Sequence, residues 1–435
     1  MNIESRRERS RTRRRFRVLW FTNIPMPAID RRTGRATSGS GHWMSALLAP
    51  LSERAQLSLG VATSYPGLPD LEFEEDGVRY FVQGQPRFQS HFHCRRRDLE
   101  GSRAVVERFR PDLIHVHGSE RFFGLLGARQ LVVPPVVVSL QGILRGLLPE
   151  FFGAMSKRDI LRSLRLRELA TRRGLAWDYL AFSRGARLED EILRGAAAFL
   201  GRTDWDEAHL RRVNPSARYF RVDEVLRPEF AEETWSLARC RRHTLLVSNA
   251  GSPWRGIEVA LDAVESLSRR WPGVELRIAG RVDERSGYGH TLRARARASG
   301  LAGRVRFLGF LDASALAREL AGAHAFAMAS YAENSPNSLC EALRVGVPCV
   351  ASYAGGIPSL IRDEATGLLF PRGDAPLLAS QLDRLFRDDD LAARLGAAAR
   401  EVAAQRHDPD RILRQLLEAY DALSGRQESL LREVA

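Results

Sequence analysis

Short apolar runs alternate with amphipathic stretches along nearly the whole chain. Phe-Arg-Val-Leu-Trp-Phe-Thr at 16–22 is the first run, and others follow at 56–62, 78–82, 113–116 and 136–140. Runs this short, bounded by turn residues, predict strands buried on both faces. Between them, 95–109 and 119–131 carry helical periodicity, and an Arg- and Leu-rich helical pattern covers 156–195. A strand at 196–200, a helix from Trp205 and a strand near 219–222 close the first half. Residues 223–243 mix charges around Pro228 without periodicity and are expected to be a linker. The alternation then resumes with strands at 244–249, 274–279, 304–308 and 324–329 and helices at 256–270, 290–299 and 312–321. Strand-like runs at 348–352 and 366–370 precede helices at 375–386, 389–405 and 410–424.

Alternation of this kind predicts α/β architecture with parallel sheets. Two such series predict two doubly wound, Rossmann-like domains facing each other across a cleft. The expected divisions are a disordered basic tail at 1–15, a first domain at 16–222, the linker at 223–243, a second domain at 244–409, and a C-terminal helical segment at 410–435 packing back on the first domain. The chain has 435 residues, enough for two domains of about 200 residues each.

The most informative stretch is Ala332-Glu333-Asn334-Ser335-Pro336-Asn337-Ser338-Leu339-Cys340-Glu341-Ala342. Two glutamates flank a polar turn, and a helix follows. The expectation is Ser335 as N-cap and Pro336 as first helical residue, with the N–H groups of Asn337 to Leu339 making an anion site. Glu333 then stays in the loop, and Glu341 lies roughly 7.5 Å into the helix at ~1.5 Å per residue. Such spacing suits a sugar nucleotide: diphosphate on the helix tip, one carboxylate for sugar hydroxyls and the other for ribose. The plainer reading is a surface loop before an ordinary amphipathic helix. The strand, loop, helix, strand order around the motif argues against it, since ligands of parallel sheets bind where strand C-ends meet helix N-ends.

Other candidates sit at equivalent places. Ser248 and Arg255 lie between the first strand and first helix of the second domain, where Arg255 can reach a phosphate; a solvated helix-end arginine is the alternative. Gly39-Ser40-Gly41 follows the first strand and allows close backbone approach to a ligand, yet it lacks the GxGxxG spacing of a nicotinamide enzyme. In His115-Val116-His117, alternation puts both histidines on one side, with His117 nearer the strand end and facing the cleft, or structural. Gln141 follows the strand at 136–138 and can donate a hydrogen bond. Arg202 precedes Thr203 and Asp204, which are helix caps on the plainer reading, and points toward the cleft.

Charge changes the picture little. The net charge is +13 and the pI about 10.4, but Lys157 is the only lysine, a skew that follows codon composition. Arg6 to Arg17 holds eight arginines, which reads either as attachment to an anionic membrane face or as a solubilising extension. There is no run of 18 apolar residues and no apolar segment behind the basic N-terminus, so a cytoplasmic protein, peripheral at the inner membrane face, is expected. Cys94, Cys240, Cys340 and Cys349 are too scattered for a disulfide or metal framework.

These residues resemble the retaining glycosyltransferases of family 4, which have the GT-B fold. The resemblance rests on Glu333 to Glu341 with Pro336-Asn337, Ala342-Leu343, Gly346-Val347-Pro348, Gly355-Gly356-Ile357-Pro358 and Gly367-Leu368-Leu369. Asn23-Ile24-Pro25, His115-Val116-His117-Gly118, Ser139-Leu140-Gln141-Gly142 and Gly201-Arg202-Thr203 look like the branch that builds bacterial capsule and O-antigen polysaccharides. The resemblance implies a hexosyltransferase acting from a UDP- or GDP-sugar on a glycan or lipid-linked acceptor, with no cofactor, metal or nucleic acid. It implies Glu333 on the donor sugar, Glu341 on ribose and Arg255 on the diphosphate, where most members have lysine. The chain departs from the pattern at Asn249 and Ala250, where members carry another arginine, and at Gln141, where they carry histidine; Arg202 or Arg281 is expected to supply the missing charge. The candidate catalytic set is therefore Glu333, Arg255 and His117, and the donor-binding set is Glu341, Asn334, Pro336, Asn337, Ser338, Leu339, Ser248, Arg202 and Gln141. A sugar-nucleotide epimerase on the same fold, or a non-enzymatic polyanion- or membrane-binding protein using the basic tail, are the alternatives.

Overall fold

The computed structural model describes residues 14–35, 41–86, 92, 94–164, 168, 174–248, 251–301, 303–426 and 429–431. Two sheets organise them. The first holds β1 (Phe16–Thr22), β2 (Leu57–Pro66), β3 (Leu71–Glu75), β4 (Val78–Gln85), β5 (Leu113–His117), β6 (Val136–Ser139), β7 (Ala198–Gly201) and β8 (Arg218–Arg221). Its order is β3-β4-β2-β1-β5-β6-β7-β8, parallel except for the β3–β4 hairpin. The second holds β9 (Arg241–Val247), β10 (Glu275–Ala279), β11 (Val305–Gly309), β12 (Ala323–Met328), β13 (Cys349–Ser352) and β14 (Leu368–Phe370). Its order is β11-β10-β9-β12-β13-β14, all parallel. Both sheets are doubly wound, and together they make the GT-B fold. Helices cover both faces, which is why β5 and β12 are buried along their whole length, their histidines included.

Three expectations need correction. β3 was absent from the predicted elements, although Leu71-Glu72-Phe73-Glu74-Glu75 alternates and Asp76-Gly77 makes the turn, with φ of 52° and 71°. Two consecutive left-handed residues are the signature of a type I′ hairpin. The helix expected at 119–131 shrinks to a 3-10 turn at Phe122–Gly124 and one helical turn at Leu125–Ala128. Of the helical pattern expected over 156–195, the described residues show the helices Lys157–Ser163 and Leu175–Gly195, the second entered through Gly174 at φ 88°.

The linker is also different from a loose connection. Asp223 and Glu224 are buried, as are Phe230 and Trp235. The Trp235 backbone donates to Val345 O (3.0 Å) and its indole Nε1 to Ala323 O (2.7 Å). This strap is bound onto the second domain because its apolar side chains complete that domain's core. The last long helix, Pro409–Ser424, lies on the first domain. Its Ile412, Leu416, Leu417 and Tyr420 share a core with Val18, Trp20 and Leu200, and the Tyr420 hydroxyl meets Trp20 Nε1 (3.0 Å) and His115 Nδ1 (2.7 Å). Residues 1–13 of the basic tail lie outside the described residues; Arg14, at its end, pairs with Asp112 at 3.1 Å.

Candidate active site

Each sheet reverses direction of winding at one point: between β1 and β5 in the first, and between β9 and β12 in the second. Loops leaving neighbouring strands diverge there, which opens a crevice at the strand C-ends. After β9 the chain passes Ser248 and forms a 3-10 turn, Pro253–Arg255, that ends at Gly256. Gly256 has φ 67°, and a Cβ there would stand 2.0 Å from Ala329 O. Only glycine permits this approach, and the approach brings Arg255 against the loop that follows β12. The Arg255 guanidinium is ion-paired with Glu333, whose same Oε1 accepts the Ser330 hydroxyl at 2.9 Å. The loop is fixed from behind: Gly356 N donates to Glu333 O (3.0 Å), and Gly355, at φ 53°, passes too close to that oxygen for any side chain. Ser248, Arg255 and Ser330 line a small cavity of about 10 Å3.

The helix after the loop runs Asn337–Val345, with Pro336 at the cap position. The helix starts one residue later than expected: Pro336 holds the cap position and Asn337 is the first helical residue. Ser335 is not the N-cap, because its hydroxyl donates to Glu224 Oε1 at 2.8 Å. The Leu339 side chain is fully buried and its N–H, like that of Cys340, goes to Pro336 O. Pro336 and Ser338 are buried at the helix tip and Asn337 is half-buried. Glu341, one turn further in, is 4% exposed. Arg227, from the strap, gives both Nε (2.9 Å) and Nη2 (2.8 Å) to Glu341 Oε1. Burial pushes the Glu341 carboxyl up to about 7, with Arg227 pulling it down and Glu224 and Glu229 pushing it up.

Across the crevice the first domain is already engaged. Thr203 caps the helix Asp204–Val213 by accepting from Asp206 N, and its hydroxyl donates to Asn334 Oδ1 at 2.5 Å. Asn334 Nδ2 donates to Asp206 Oδ2 (2.9 Å) and reaches Gln141 O at 3.5 Å. Asn334, expected on the donor, bridges the two domains in this structure. Arg202 does not reach into the crevice with an uncommitted charge; its Nε is 3.1 Å from Glu224, which is fully buried. Arg281 is exposed and lies over the Phe310 ring at 5.1 Å.

His117 is buried rather than open to the cleft. Its ring lies 3.9 Å from that of His115 and 4.4 Å from that of Trp20. Burial, with His115 and the charge of Arg202 adding to it, holds its pKa well below the usual value, so the imidazole is held in its neutral form. His115 is likewise neutral, bonded to Tyr420 and to Ser139 Oγ (2.7 Å). Gly41 has φ 78° at the start of the helix His42–Ser52; Gly39 and Ser40 lie outside the described residues.

Sequence reading missed Arg227, Glu224 and Asp206. Arg227 and Glu224 fell within or beside a stretch taken as a linker because it lacks periodicity. The signal was present in Val222-Asp223-Glu224-Val225-Leu226-Arg227-Pro228, where charged residues are interleaved with apolar ones, a pattern that buries carboxylates only if cations meet them. Among the described residues no three His, Cys, Asp or Glu side chains are grouped as metal ligands, and no helix is long and apolar enough to cross a membrane. A larger cavity, of about 590 Å3, lies between Met155, Asp159 and Arg162 and the helix Gly287–Ala298, and no residue of the glutamate motif lines it.

Residues 31–222 match the family model Glycosyl transferase 4-like domain, and residues 235–402 match Glycosyl transferases group 1. A phosphatidyl-myo-inositol mannosyltransferase of Mycobacterium leprae is 31% identical over 43% of this chain and 48% of its own length. The chain thus spans about half the length of the curated relatives it matches. Among solved structures, sucrose-phosphate synthase from Thermosynechococcus elongatus superposes with a TM-score of 0.69 at 20% identity, covering 95% of this chain and 100% of that one. Anabaena Alr3699/HepE in complex with UDP and glucose superposes with a TM-score of 0.66 at 19% identity, covering 93% and 99%.

Proposed function

We propose that this chain, made of a glycosyltransferase 4-like domain and a group 1 glycosyltransferase domain, moves a hexose-type sugar from a UDP- or GDP-sugar to a hydroxyl of a glycan or lipid-linked acceptor, with retention at the anomeric carbon. The observation that carries the reading is the pair of carboxylates around one helix start, Glu333 and Glu341, each facing an arginine at the second domain's switch point. A diphosphate lying between Arg255 and the helix tip at Asn337 and Ser338 puts its glycosyl end at Glu333 and its ribose at Glu341.

In the reaction, the bond from the anomeric carbon to the β-phosphate oxygen breaks, and the acceptor oxygen bonds to the same face. The acceptor proton passes to the departing phosphate. Arg255 and the helix N-terminus stabilise the charge that develops there, and no metal ion is required for that role. His117 is buried and held in its neutral form, and the acceptor proton does not pass through it in this step. Asn334, tied to Thr203 and Asp206, keeps the two domains closed over the donor and limits hydrolysis by water. The HepE complex with UDP and glucose and the phosphatidyl-myo-inositol mannosyltransferase support a nucleotide-sugar donor and a polar hydroxyl acceptor. Synthesis of cell-surface polysaccharide, beside an anionic membrane that attracts the arginine-rich N-terminus, is the role that fits.

The test is a thermal-shift screen with UDP- and GDP-sugars, followed by assay of nucleoside diphosphate release with and without acceptor. Stabilisation by one donor, with release accelerated by acceptor, is expected. Product formed from the nucleotide sugar alone, as an epimer, would overturn the transferase reading.

A further inference from the structure

Arg202 is paired with the buried Glu224, and Arg281 lies over the Phe310 ring. Besides Arg255, a second arginine enters the site, from the strap. Arg227 places Nε and Nη2 on a single oxygen of Glu341, and both bonds fall on Oε1. Its guanidinium lies over the Phe230 ring at 4.8 Å, and Phe230 is fully buried, so the fork has a rigid backing. Its side chain keeps 25% exposure against 5% for Glu341. On the other side stands His42, the first residue of the helix that follows the glycine-rich turn. Burial and the charge of Arg227 both lower the His42 pKa, and its ring is bonded to the Leu226 backbone. Arg227 therefore lies where strap, glutamate helix and first domain meet.

We propose that Arg227 is a positioning residue for the nucleotide, fixing one oxygen of Glu341 so that the carboxylate is presented to the ribose hydroxyls in a single orientation. The inference rests on the reading of Glu341 as the ribose-binding group. Its physical basis is that a carboxylate so deeply buried, with Glu224 and Glu229 on neighbouring elements, stays ionised only beside a cation. Protonated, Glu341 would offer a donor and lose half of its accepting capacity. Arg227 thus decides the pH at which the nucleoside diphosphate binds. A lysine there keeps the charge but loses the fork.

The test is calorimetric titration of the full chain with UDP and with GDP from about pH 6 to about pH 9, for wild type, Arg227→Lys and Arg227→Ala, each checked for folding by its thermal melt. In wild type, binding is expected to strengthen as pH rises through the Glu341 titration. In Arg227→Ala the midpoint should move up by about 1–3 pH units, the range expected on loss of an adjacent opposite charge. Affinity near neutral pH should then fall about tenfold or more and recover in alkali. Arg227→Lys should restore most of the midpoint but less of the affinity. A loss of the same factor at every pH, or no loss, overturns the inference while leaving the function standing. A folded wild type that binds neither UDP nor GDP overturns both.

Discussion

The site contains two carboxylate–arginine pairs separated by eight positions of sequence, and they are built differently. Glu333 sits in a loop whose backbone is clamped by Gly355 and Gly356, and its arginine comes from the turn after β9. Glu341 sits inside a helix, and its arginine comes from a strap that has crossed from the other domain. The first pair lies next to the interdomain bridge Asn334–Thr203, and the second beside the buried carboxylate Glu224, itself held by Arg202 and Ser335. The difference teaches that a short motif is divided between two tasks. Under the proposed function, one end, next to the interdomain bridge, would act at the reacting bond, and the other, buried in the second domain, would hold the nucleotide.

The comparison can be broken by mutation, and the effects should rank accordingly. Arg255→Ala should lower kcat by about 100-fold or more, the usual cost of removing a group that stabilises transition-state charge, while donor affinity changes less. Asn334→Ala should lower kcat by about tenfold through looser closure, with more donor hydrolysis relative to transfer; an unchanged hydrolysis ratio would show that the bridge is only structural. Glu341→Gln should act mainly on donor KM, by about 1–3 kcal/mol for unmade hydrogen bonds to a buried group. The donor KM should also fall as pH rises through about 7, because the raised pKa of Glu341 leaves it protonated, and unable to accept two ribose hydroxyls, on the acid side. Smallest of all in activity is Tyr420→Phe, which should cost about 1–3 kcal/mol of stability by stranding Trp20 Nε1 and His115, with kcat unchanged in folded protein.

Much of the architecture was legible because parallel strands buried on both faces announce themselves as apolar runs. What the runs hide is pairing between strands and breaks within helices. The β3 strand was overlooked because its glutamates made it look like a loop, and the break before Leu175 because Arg- and Leu-rich sequence stays periodic on both sides. At the site, Glu333, Arg255 and Glu341 were readable from their spacing from strand ends. Arg227 and the committed states of Arg202 and Asn334 were not, since Arg227 and Asn334 depend on partners more than a hundred positions away in the chain and Arg202 depends on Glu224, beyond the following helix and strand. His117 was placed on the correct face of its strand, but alternation alone does not say whether a strand end is covered.

The most direct measurement is nucleoside diphosphate release from a panel of UDP- and GDP-sugars by wild type and by Glu333→Gln, assayed at saturating donor. The account predicts that wild type consumes at least one donor and that Glu333→Gln, still binding the free nucleoside diphosphate, turns that donor over about 100-fold more slowly. Equal turnover by the two proteins, or a folded wild type that consumes no donor, would contradict it.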